Sequence, residues 1–219
     1  MGFSQAQSES LKQFVQSLLG SGAKALSETL NLEVGLDTPE LALSGALGDV
    51  PDLFEGEEPL LVAVRYAAGP GDGVMAFLLK SKQAKVLADF MLGGSGAPDD
   101  TPMSDLQMSA VGEAMNQMMN AAATAMVGQL RETLDVNSPD VFAFTPDMLQ
   151  ELVPNLADGV IVSAHYALQL QDPQGGQDPL DMVMILSEPD ATGLIDLFDP
   201  AGAPPLAAAA PSAADEEDD

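Results

Sequence analysis

Cysteine is absent from the 219 residues, which excludes disulfides, thiolate nucleophiles and cysteine-ligated zinc or iron–sulfur sites together. Tryptophan is absent as well and aromatic residues are only 5% of the chain, so core volume must come from Leu, Val, Ala and 12 methionines. Basic residues are scarce: 7 Lys and Arg stand against 34 Asp and Glu, a formal charge of −27. Such a surface repels phosphate backbones and anionic lipid, which argues against nucleic acid as a partner. It favours solubility and steers cation-bearing partners, and it is equally what a saline habitat selects. No apolar run is long enough to span a membrane. The start, MGFSQAQSES, has neither a basic segment nor an apolar one, and Ala6 breaks the myristoylation pattern. The expectation is a cytoplasmic protein without membrane insertion.

The 46% hydrophobic content is that of an ordinary globular domain. The sequence matches itself at a spacing of 100: Ser4 with Ser104, Gln7 with Gln107, Ala23 and Ala25 with Ala123 and Ala125, Leu30 with Leu130, Tyr66 with Tyr166. After a longer second hairpin the spacing becomes 107, matching Ala84 with Ala191, Leu87 with Leu194 and Asp89 with Asp196. Each half reads as a long helix opened by a capping Ser, a variable loop, two strands joined by a Gly/Pro/Asp turn, and a shorter helix. The strands are expected at 60–68 and 73–80, then 159–170 and 179–187. The fold class is α+β, a pseudo-twofold repeat of helix-strand-strand-helix halves. The halves span 1–92 and 103–199, joined by the linker 93–102 into one domain, 1–199. The acidic Ala/Pro tail, 200–219, has no means of burying surface and is expected to be disordered.

The stretch VGEAMNQMMNAAATAMVG, residues 111–128, carries the chemistry. Positions 108, 111, 115, 118, 119, 122 and 126 recur with helical spacing as Met, Val, Met, Met, Met, Ala and Met, a buried stripe. Ser109, Glu113, Asn116 and Asn120 share another side, so a carboxylate and two amides stand in a row on the exposed face. A solvated helix face is the ordinary reading of such a row.

The helix SDLQMSAVGEAMNQMMNAAATAM resembles the signature helix of the CheC, CheX and FliY chemotaxis phosphatases: Ser104, then Glu113 and Asn116, then AAATA at 121–125. The resemblance covers residues 3–199. It departs from the family pattern at Gln107, Ser109, Met115 and Asn120, and in the first half Gln13 and Gln16 hold the two signature positions, a degenerate first site. The resemblance implies dephosphorylation of the aspartyl phosphate on a CheY-type response regulator. The chain would need no cofactor of its own, because the regulator carries the metal ion, the phosphorylated Asp and a Lys. Asn116 would orient the attacking water, since an amide hydrogen-bonds water without titrating or becoming a competing nucleophile. Glu113, one turn back, would pair with the regulator's Lys and fix the docking register. CheD and flagellar switch proteins are further partners the resemblance implies. A module that binds the regulator without catalysis, or a switch adaptor, is the alternative.

Three other features carry little. The lone His165 on an alternating strand reads as structural, GPGDG at 69–73 reads as a hairpin turn because it lacks the Lys and helix of a phosphate loop, and the terminal DEEDD makes a poor metal cage.

Overall fold

The computed structural model describes residues 3–45, 54, 59–97, 101–153, 156, 161–171 and 179–198. The first half runs α1 (Gln5–Leu30), β1 (Glu33–Leu36), β2 (Glu40–Gly45), β3 (Pro59–Ala68), β4 (Gly71–Lys80) and α2 (Ser81–Met91). The second runs α3 (Asp105–Ala125), β5 (Leu134–Val136), β6 (Asp140–Ala143), α4 (Pro146–Leu152), β7 (Ile161–Gln171), β8 (Leu180–Ser187) and α5 (Glu188–Leu197). The expected strands and helices are all present, and the variable loops prove to hold a pair of short strands each. The tail 200–219 and its DEEDD end lie outside the described residues, as do parts of the linker and of the second hairpin's turn.

The repeat is physical. Ser4 and Ser104 both cap their helices, each accepting from the backbone N–H of a Gln three residues on, while that Gln's side chain accepts from the Ser N–H at 2.9 Å. Gln107, where the family pattern has an acid, is thus occupied as the second arm of the capping box. The buried positions of α1 recur 100 residues later in α3: Leu11 with Val111, Phe14 with Ala114, Val15 with Met115, Leu18 with Met118, Leu19 with Met119. The predicted stripe of α3 is buried or partly buried throughout. The two helices pack on each other at Gly22, where a Cβ would lie 3.2 Å from the Met118 carbonyl oxygen.

The eight strands among the described residues form one antiparallel sheet in the order β1-β7-β8-β4-β3-β5, with β2 also on β7 and β6 also on β3. The central pair β4 and β8 joins the halves through Ala76↔Ile185, Phe77↔Met184, Leu78↔Val183 and Leu79↔Met182. The short strands of each half pair with the long hairpin of the other: β1 and β2 with β7, β5 and β6 with β3. On one face of the sheet, alternate residues such as Leu60, Val62, Val64, Met182 and Met184 meet α1, α2, α3 and α5. On the other, Leu61, Ala63, Ala76, Leu78, Val183 and Ile185 meet Phe54, α4 and Leu156. Burial on both faces is why the central strands read as nearly unbroken apolar runs. GPGDG is a hairpin, as expected, its turn resting on Gly69 at φ +57°.

Among the described residues no helix is long and apolar enough to cross a membrane, and no group of three His, Asp or Glu side chains could hold a metal ion.

Candidate functional site

Helix α3 presents the predicted polar row on its outer side: Ser109, Glu113 and Asn120 are exposed and Asn116 is half-buried. Facing it is the β5–β6 turn, Ser138, Pro139, Asp140 and Val141. Between them lies a groove of about 470 Å³ into which Ser109, Gly112, Glu113 and Asn116 contribute from the helix. Gly112 sets the approach of the two walls, because a Cβ there would stand 3.2 Å from Val141 Cγ2. The turn is anchored in the sheet by β6 on β3, and Asp140 Oδ2 accepts from Arg65 Nη1 on β3 at 2.8 Å. That pair is half-exposed, so it fixes geometry more than it adds stability. Asp105, Glu113 and Asp140 leave the groove acidic, with Arg65 the cation beside it. The chemistry on offer is a carboxylate to receive a cation and an amide to order water. Among the groove's residues, Ser109 and Ser138 carry the only hydroxyls, and no His or Lys stands beside them as a base.

The first half has an equivalent groove, between α1 and the β1–β2 turn, walled by Ser8, Glu9 and Lys12 on the helix and Thr38–Leu41 on the turn. Its residues are those of the second groove shifted by 100: Pro39 with Pro139, Glu40 with Asp140, Leu41 with Val141. At the position of Gly112 it has Lys12, and Gln13 and Gln16, both half-buried, do not line it. The structure therefore brings Glu113 and Asn116 together in one groove and leaves Gln13 and Gln16 out of the lining of the equivalent one.

The facing turn was missed by reading along α3 alone. A signal was present: DTPE at 37–40 and NSPD at 137–140 repeat at the same spacing as the helices.

His165 lies opposite Glu40 on β2, with Nε2 3.3 Å from the buried Ser163 hydroxyl. Burial lowers its pKa from the ordinary 6.5, opposed by Glu40. Ser163 does not line the cavity that His165 shares with Lys80 and Asp181, so this pair presents no His-activated serine there. Elsewhere, Tyr66 donates to Asp190 Oδ1 at 3.4 Å and Ser187 to Asp190 Oδ2 at 2.7 Å, while burial pushes the Asp190 carboxyl up and the Tyr66 hydroxyl far above its usual range.

An eight-stranded antiparallel sheet with paired signature helices, one of them offering Glu113 and Asn116 over a groove, defines a protein of CheC-like fold. In sequence and fold the chain is similar to proteins of the CheC/CheX/FliY family. It is 35% identical over 122 residues to the flagellar motor switch phosphatase FliY of Bacillus subtilis, a match covering 56% of this chain and 32% of that protein. The chain thus spans about a third of the length of that curated relative. The crystal structure of Thermotoga maritima FliY superposes with a TM-score of 0.74 at 25% identity, covering 90% of this chain and 98% of that one. Two others share the fold: FliM of Helicobacter pylori, solved in complex with FliG (TM-score 0.61, 14% identity, 87% and 100% covered), and a CheC-like protein from Shewanella (0.52, 13%, 80% and 97%). No family model matches the sequence.

Proposed function

We propose that the chain is a cytoplasmic phosphatase acting on the aspartyl phosphate of a CheY-type response regulator, with Glu113 and Asn116 as its site. The observation that carries this reading is the asymmetry of the two grooves: the carboxylate and amide line one, while Gln13 and Gln16 line neither. The regulator brings the metal ion, the phosphoryl group and a Lys. The acidic groove suits that Lys, and Glu113 pairs with it as the surfaces close and water is excluded. Asn116 then holds a water in line with phosphorus, a positioning role that asks for no base on this chain. Similarity to a protein named a motor switch phosphatase supports the same reading.

The test is decay of a phosphorylated CheY-type regulator with and without the full chain, beside Asn116→Ala. Acceleration that falls about 100-fold in the variant is expected, the scale of losing a positioned reactant. Undiminished turnover by Asn116→Ala would remove that residue from the mechanism. A second reading, a non-catalytic module bound to the regulator or to flagellar switch proteins, is favoured by the likeness to FliM and by the degenerate first half. Binding of the phosphorylated regulator without any acceleration would establish it.

A further inference from the structure

Each of the two site residues is gripped from one helical turn further along α3. Gln117 Nε2 donates to Glu113 Oε1 at 2.8 Å, and Gln117 Oε1 accepts from the Thr29 hydroxyl at the end of α1. Asn120 Nδ2 donates to the Asn116 carbonyl oxygen at 2.8 Å and to Asn116 Oδ1 at 2.9 Å. The second contact settles how the Asn116 amide is turned. A backbone carbonyl can only accept, so the Asn120 atom against it is nitrogen, and the Asn116 atom against that nitrogen must be oxygen. One lone pair of Oδ1 is held, leaving the other lone pair and Nδ2 for a ligand. The Asn120 carbonyl in turn accepts from the Thr124 hydroxyl at 2.8 Å.

The first half serves as an internal comparison. The counterparts of Gln117 and Asn120 are Ser17 and Gly20, which offer no amide to the preceding turn. The grips exist where Glu113 and Asn116 line a groove and lapse where Gln13 and Gln16 do not.

We propose that Asn120 is a positioning residue for the reaction, presetting the rotamer and amide orientation of Asn116 before the regulator docks. The proposal rests on the phosphatase reading. An ungripped Asn samples several rotamers and both amide orientations, and the fraction in the productive one scales the rate of the chemical step. Water competes for the exposed Asn120 amide, so the effect is modest, about fivefold in kcat.

Asn120→Ala is the test, since alanine favours the helix and leaves the fold intact. With the full chain and a phosphorylated CheY-type regulator, kcat falls about fivefold and KM is unchanged. In an Asn116→Ala background the same substitution has no further effect, because the grip acts only through Asn116. Nitrogen relaxation of the Asn116 side-chain amide, read without regulator, loosens in Asn120→Ala. Unchanged kcat and unchanged relaxation, with Asn116→Ala inactive, would overturn the grip alone. An additive loss in the double variant would also overturn it. Full activity of Asn116→Ala, or no acceleration by the wild type, would overturn the phosphatase reading and the grip with it.

Discussion

Substitution at Gly112 separates the groove from the residues that line it. In Gly112→Ala the new methyl would start 3.2 Å from Val141 Cγ2, inside the roughly 3.5–4.0 Å optimum for two carbons. Strand β6 must yield by a few tenths of an ångström, an overpacking of about 1 kcal/mol. Against this, replacing a mid-helix glycine by alanine contributes about 1 kcal/mol to the helix. The two nearly cancel, so the melting temperature should move by less than about 3 °C. Gly112→Lys goes further by copying the first half, which has Lys12 at this position of its groove. Its stem would fill space in the groove that Glu113 and Asn116 line, and its ammonium would compete for Glu113. If the regulator docks here, kcat/KM should fall at least about tenfold, carried mainly by KM, with a folded protein by circular dichroism. Full activity in a folded Gly112→Lys protein would show that the groove is not the docking site, whatever Asn116 does.

Other outcomes follow from single groups. Glu113→Gln keeps the grip from Gln117 but removes the charge, and should raise KM more than it lowers kcat in the same dephosphorylation assay; the reverse pattern contradicts its docking role. Tyr66 and Tyr166 occupy equivalent places, yet Tyr66 bonds Asp190 while the buried Tyr166 hydroxyl has no partner among the described residues. Thermal unfolding should therefore find Tyr66→Phe destabilised and Tyr166→Phe stabilised, each by about 1 kcal/mol. His165 has its folded pKa below the ordinary 6.5, so the stability it contributes is present above that pH and lost as pH falls through the folded value. Denaturant midpoints between pH 7 and 5 should decline less steeply in His165→Gln than in the wild type.

The sequence made the long elements legible because their signals are local. Ser4 and Ser104 announce helices, and the Met stripe of α3 has the helical period over five turns. The short strands escaped for a physical reason: β1 and β5 are four and three residues long, too short to show alternation, and their pairing lies with the opposite half. Helix α4 was readable in principle, with Thr145 capping Met148 N–H and Pro146 at its first position, but its seven residues bury little. For the site, the helical face of Glu113 and Asn116 could be read from spacing, whereas the wall opposite is brought there by strand pairing. The grip of Asn120 on Asn116 was hidden by its ordinary appearance as one more polar residue on a solvated face.

The crossed pairing of the short strands also explains what keeps the first half in place. The turn facing Glu113 and Asn116 hangs from β3, a strand of the half whose own signature positions are Gln13 and Gln16. That half is structurally indispensable to the other, since losing β3 would take away the wall of its sibling's groove. Each half holds up a wall of the other's groove, β1 and β2 pairing with β7 as β5 and β6 pair with β3, so neither half can be removed without dismantling the surface of its sibling.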